Sequence, residues 1–183
     1  AAPVFAKHGA PFTVYVSSGM PDGTTELWWM ALEAVIRKAG SLTTTVNNTT
    51  VDLPCQSAAE KQAAFNAVYW PLRNLSEADQ RTWIRELCKA HHVDLLDITR
   101  QAALSWDGVR ELHQHAYCTI GAHTVDHFAL SKLTDEDARR EMLDGANRIA
   151  EMTGEWPRHF AYPYGDEGSA SLREFELARF LGF

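Results

Sequence analysis

Cys118-Thr119-Ile120-Gly121-Ala122-His123-Thr124-Val125-Asp126-His127 reads as a short strand that runs directly into a pair of histidines. What surrounds it decides the fold. Upstream, a short helix near Thr99 to Leu104 and a second from about Trp106 to His115 lead into the strand, which is read over Tyr117 to Ala122. Downstream, Thr134 caps a long helix to about Met152. Asp135, Glu136 and Asp137 complement the positive end of its dipole, Ala138, Met142, Ala146 and Ile149 make its apolar stripe, and Gly154 stops it. A strand over Arg158 to Tyr162 and a helix from about Ala170 to Leu181 follow, and Pro11 to Val16 forms an earlier strand behind a helix that ends at Gly9. Strands separated by helices pair in parallel through right-handed crossovers. The fold class is therefore α/β, a barrel or a doubly wound sheet.

The segment from 17 to 97 is less regular. Ser17 to Thr25 is a loop by its Gly, Pro and Ser content, and a helix from about Glu26 to Lys38 carries Leu27, Trp28, Ala31, Leu32, Val35 and Ile36 at the helical period. Two Thr- and Val-rich runs flank Asn47-Asn48, the pattern of a hairpin with a tight turn. Helices at roughly 57–72 and 77–91 follow, the second capped by Ser76. Residues of about 41–97 are expected to be an insertion in a single domain of residues 1–183. The chain opens as if inside a helix and closes on Gly182-Phe183 as if before another strand. Set against the about 250 residues usual for a (β/α) barrel, this suggests a domain incomplete at both ends.

Composition narrows the partners. The 183 residues hold 17 basic and 24 acidic side chains, a formal charge of −7, which argues against broad binding to nucleic acid or anionic lipid. No stretch reaches the about 20 apolar residues of a membrane span, and the first residues lack the pattern of a signal peptide. A cytoplasmic location is the simplest expectation; oligomeric state has no readable code. Cys55, Cys88 and Cys118 are widely spaced and odd in number, so they are read as buried thiols rather than a disulfide framework or a zinc site.

Chemistry in parallel α/β folds gathers at the carboxyl ends of strands. His123 and His127 stand at one such end. Imidazoles at i and i+4 on a helical turn face the same way and can share a divalent ion, typically zinc; a pair on a helix surface or a satisfied core histidine fits the same spacing. The second strand end is Tyr162-Pro163-Tyr164-Gly165-Asp166. Proline fixes φ and glycine frees the next position, so the Tyr164 amide can point into a pocket as an oxyanion donor. An ordinary strand-to-helix turn is the other reading.

Order and spacing together resemble the polysaccharide deacetylase family, the NodB-homology carbohydrate esterases. His123-Thr124-Val125-Asp126-His127 corresponds to that family's metal motif and Pro163-Tyr164-Gly165 to its later turn. His8 to Val16 resembles the family's second strand, and Ser105 to Leu112 the helix before its histidine strand. The resemblance implies a distorted (β/α) barrel that removes acetyl groups from N-acetylated sugars, with a metal, zinc foremost, on His123 and His127 and the Tyr164 backbone N–H at the oxyanion. Tyr162 and Pro163 are read as candidate substrate contacts, and Trp28, after the loop that follows the second strand, as a candidate sugar-stacking surface, although Trp28-Trp29 fits one buried and one half-exposed helix residue more readily; Asp126 is read either as a support for the ligands or as solvated, and Arg158 as a further candidate support.

Three departures from the family pattern accompany this. The aspartate pair that supplies its base and third ligand would lie before Ala1, its late acid histidine would lie after Phe183, and the arginine it places before the turn is Ala161. Two alternatives stay open: a catalytically inactive carbohydrate-binding relative, and a hydrolase of the same fold acting on a small amide or imide. His91-His92 and His113-Gln114-His115 close helices, where imidazole suits the negative end of the dipole.

Overall fold

The structure, a computed structural model, describes residues 2–46 and 49–183. The elements are α1 (Ala2–Lys7), β1 (Phe12–Val16), α2 (Gly19–Asp22), α3 (Trp28–Lys38), β2 (Ser41–Val46), β3 (Thr49–Pro54), α4 (Ala58–Asn74), α5 (Glu77–Ala90), α6 (Leu95–Ala102), α7 (Trp106–His113), β4 (Cys118–Ala122), a 3-10 turn (Leu130–Lys132), α8 (Asp135–Thr153) and α9 (Leu172–Leu181). They fall into two compact units, one of residues up to Thr25 with Thr99–Phe183, the other of Glu26–Ile98.

In the first unit β1 and β4 pair in parallel, with Phe12 opposite Cys118 and Val16 opposite Ala122. Helices α7 and α8 pack on β4. Val16, Ile120, Ala122, Trp106, Val109, Ala146 and Ile149 form one buried cluster, and Leu130, Ala138, Met142 and Ala178 a second. Each large aliphatic side chain buried in this way contributes about 1.5–3 kcal/mol. The stripe expected on α8 is thus its buried face. Thr134 Oγ1 accepts from the Asp137 amide at its start, and Gly154, at φ 81°, closes it.

The strand expected over Arg158 to Tyr162 is reduced to one parallel bridge, Phe160 to Ala122. The Ala122 amide donates to His159 O and the Ala161 amide to Ala122 O, while Pro157 and Pro163, which have no N–H, bracket the segment. Among the described residues the sheet does not close into a barrel. The fold class shown is mixed α/β.

The second unit takes in α3 together with the antiparallel hairpin of β2 and β3, in which Ser41 faces Pro54 and Val46 faces Thr49. The turn expected at Asn47-Asn48 lies outside the described residues. Helices α4 and α5 pack on α3, burying Leu32, Val35, Ile36, Val68, Leu72 and Ile84. Ser57 and Glu60 form a reciprocal cap at the start of α4, and Ser76 accepts from the Asp79 amide at the start of α5.

All three cysteines are free; Cys55 and Cys88 are buried, Cys118 only half-buried. Burial pushes the Cys88 thiol up to about 11. Among the described residues no helix is long and apolar enough to cross a membrane.

Candidate functional site

The parallel pairing of β1 and β4 continues past both strands as a polar zipper. The His123 amide donates to Val16 O at 3.0 Å, the Ser17 hydroxyl to His123 O at 2.7 Å, and the amides of Ser18 and Gly19 to Thr124 O and Val125 O, each at 3.1 Å. The Thr25 hydroxyl lies 3.1 Å from both Val125 O and Asp126 Oδ1. Carbonyls of the histidine loop are thus satisfied by residues 17–25. Its amides are satisfied otherwise. Glu141 Oε2, on α8, accepts from the Val125 amide at 3.1 Å and the Asp126 amide at 2.9 Å, and Thr124 Oγ1 accepts from the His127 amide at 2.9 Å.

This bonding overturns the expectation of a helical turn. Thr124 and His127 sit at φ 68° and 59°, in the left-handed region, and the segment from His123 to Ala129 is loop. A non-glycine residue held there costs on the order of 1–3 kcal/mol and persists only where its surroundings dictate it. Here they do. A Cβ at Gly145 would lie 2.8 Å from the Thr124 carbonyl carbon and oxygen, so the glycine is what lets α8 lie against the loop backbone.

The imidazoles meet edge to face in this frame, their centroids 4.8 Å apart and their planes at 74°. His123 Nδ1 is 2.7 Å from Ala161 O. A carbonyl only accepts, so Nδ1 carries the proton and Nε2 keeps its lone pair. Burial holds the His123 pKa below the usual histidine value, with the bond to Ala161 acting in the opposite direction. Asp126 directs a carboxylate oxygen to the Thr25 hydroxyl, so it braces the loop from within.

The second loop arrives from the bridge at Phe160. Pro163 is buried, and the Gly165 amide donates to Pro163 O at 2.8 Å, closing a three-residue turn about Tyr164 at φ 65°. A γ-turn with positive φ is the rare, strained form. The Tyr164 ring meets His127 edge to face, with centroids 4.8 Å apart. His123, His127 and Tyr164 therefore come together from two strand ends.

Other expected site residues lie elsewhere. Trp28 is 0% exposed and stacks on Tyr69 at 4.9 Å, which makes it a core residue and corrects the reading of a sugar-stacking surface. Arg158 is exposed and lines a cleft of about 200 Å³ with His113, Cys118 and Thr119, toward the start of β4 and away from its carboxyl end, so it does not support the histidines. Tyr162 packs against Phe160 and Phe175, and its hydroxyl donates to Glu174 O at 3.5 Å; α9 claims the side chain that was expected to touch substrate.

Ser17, Thr25, Glu141 and Gly145 were not singled out from sequence. For the last two a signal exists: Ala138, Glu141, Met142 and Gly145 fall on one helical face, so a carboxylate and a glycine interrupt an apolar stripe.

As a metal site the pair fits in part: His123 has the tautomer that leaves Nε2, a common ligand atom for divalent ions, free, and the His127 ring lies beside it. Among the described residues no group of three or more His, Cys, Asp or Glu is placed to hold an ion, so the pair is a partial donor set.

A family model described as polysaccharide deacetylase matches residues 1–182. Among solved structures the chain is similar to Streptococcus pyogenes deacetylase PplD in complex with acetate, at 19% identity and a TM-score of 0.43, over 59% of this chain and 50% of that one. The match thus spans half the length of that protein. No curated protein matches.

Proposed function

The chain belongs to the polysaccharide deacetylase family, and from that premise we propose that it hydrolyses the acetamide of an N-acetylhexosamine unit in a poly- or oligosaccharide, assisted by a divalent metal ion, zinc being the expected one. The observation that carries the proposal is the meeting of His123, His127 and Tyr164 from two strand-end loops. His123 and His127 would hold the ion, and a bound divalent ion supplies Lewis acidity toward an acyl oxygen. The protonated Nδ1 of His123, given to Ala161 O, keeps its other nitrogen free for that role. The Tyr164 backbone N–H is the oxyanion donor in this reading, oriented by the strained turn rather than by a mobile side chain. The parallel pair β1 and β4 belongs to a distorted (β/α) barrel, in one deacetylase domain with residues of about 41–97 as an insertion.

Acetate release from N-acetylated chito-oligosaccharide tests the proposal. Release should fall by about 100-fold or more on chelation or in His127→Ala, comparable to losing a principal catalytic group. Release undiminished by both treatments would refute it.

Ala161, at the position where the family places an arginine, favours a second reading: a relative that binds carbohydrate without hydrolysing it. Sugar binding with no acetate released would establish that one. A third, hydrolysis of a small amide or imide, predicts turnover of such amides and none of the sugar.

A further inference from the structure

We propose that Glu141 is a positioning residue for the histidine pair: its buried carboxylate occupies the bend between His123 and His127 and sets the direction in which the two imidazoles face. The part of this that concerns a metal rests on reading His123 and His127 as its ligands.

Glu141 lies on the buried face of α8 beside Met142 and is 8% exposed. A carboxylate taken out of water at an apolar position needs compensation. Two successive amides of the histidine loop, Val125 and Asp126, supply part of that compensation, both donating to the same oxygen. Successive backbone N–H groups in a tight bend make an anion-accepting concavity. In this loop the occupant of that concavity is a side chain of the protein itself.

The two sides of the loop differ. Its carbonyls from His123 to Val125 are engaged by Ser17, Ser18, Gly19 and Thr25. On the amide side Thr124 Oγ1 serves His127 from within the loop, and Glu141 holds the bend from α8. The left-handed residues Thr124 and His127 bracket the two amides that Glu141 holds. Releasing those amides frees the peptides that impose φ 59° on His127, and with it the approach of His127 to Tyr164 and His123.

The test uses the metal-free chain first. In Glu141→Ala, amide hydrogen exchange at Val125 and Asp126 should accelerate by roughly tenfold or more, and the His127 imidazole resonances should move from their wild-type positions. Glu141→Gln, which keeps an oxygen acceptor, should restore both. Met142→Ala supplies the control, because it opens a cavity in the same helix and lowers the melting temperature without touching the bend; it should leave the His127 resonances in place. If Glu141→Ala does not fold, Glu141→Asp, which draws the oxygen back by one methylene, should shift the His127 resonances in the same way. Zinc affinity, measured by competition with a chromophoric chelator, should then fall by about 10–100-fold in Glu141→Ala and recover in Glu141→Gln. Unchanged His127 resonances in the folded Glu141 variants, or equal shifts in Met142→Ala, would overturn the proposal. A zinc affinity indifferent to His127→Ala would instead remove the metal reading, with Glu141 still decided by the metal-free resonances and exchange rates.

Discussion

The loop after β4 and the Pro163-Tyr164-Gly165 turn both bring a left-handed, non-glycine residue beside His127, yet the chain holds them by different means. The first is braced from two elements, its carbonyls by residues 17–25 and its amides by Glu141, with Gly145 admitting the close approach of α8. The second closes on itself from the Gly165 amide to Pro163 O, on a buried proline. Strain in the first loop is distributed over partners far apart in the chain, whereas the turn draws on proline and glycine at its own positions. The braced loop should therefore respond strongly to changes in its surroundings, and the turn weakly to changes in itself.

The largest effect should come from Gly145→Val. A side chain there meets backbone atoms of Thr124, which cannot swing aside, and the overpacking should cost about 3 kcal/mol or more in urea unfolding. Stability equal to wild type would mean that α8 does not hold the backbone of the histidine loop. Thr124→Ala keeps the left-handed backbone but removes the buried oxygen that accepts from the His127 amide. A loss of about 1–2 kcal/mol is expected.

Tyr164→Gly is the counterpart in the turn. Relief of a left-handed residue gains about 1–2 kcal/mol, the added freedom of the unfolded chain takes back a similar amount, and stability should stay within about 1 kcal/mol of wild type. A much larger loss would mean that the turn is as heavily braced as the loop.

The smallest effect concerns Asp22, at the end of α2, which anchors the 17–25 segment to α8. Hydrogen bonds from Arg148 hold its carboxyl below the usual aspartate range; burial opposes them, and Trp106 Nε1, donating at 2.7 Å, reinforces them. Because the folded pKa is depressed, the contribution is present above the unfolded value of 3.8 and is lost as pH falls through the lower folded value. Asp22→Asn should accordingly cost under about 1 kcal/mol near neutrality, and the difference from wild type should shrink as pH falls below 3.8 and vanish once the folded carboxyl is itself protonated. A pH-independent difference would assign the effect to Trp106 packing instead.

Much of this architecture could be read in advance, and the reason is local. The cap, stripe and stop of α8 are set by residues within one helix, as is the reciprocal cap of α4, and the hairpin pattern of β2 and β3 is equally short in range. His123, His127 and Tyr164 could be singled out because their order and spacing resemble the deacetylase family, the local pattern around each leaving an ordinary reading open. Arg158 to Tyr162 has the aromatic alternation of a strand but forms only a bridge, since pairing depends on what lies alongside. The helical period puts Trp28, and not Trp29, on the apolar face of α3, and Trp28 is fully buried there.

Helices α3, α4, α5, α7, α8 and α9, the caps of α5 and α8 and the residue types at the two strand ends are thus written in local sequence, whereas Gly19–Asp22, read as loop, folds as α2, and the adjacency of β1 and β4 appears only in the pairing. The tertiary structure alone decided that the histidine pair stands on a strained loop, that Ser17 and Thr25 hold its carbonyls, and that Glu141 holds its amides. Ser17 and His123 are 106 positions apart in the chain. No local pattern encodes a bond of that length; it exists only because the β1 and β4 ladder brings both strand ends together, so that every polar group leaving the sheet must find its partner across the gap.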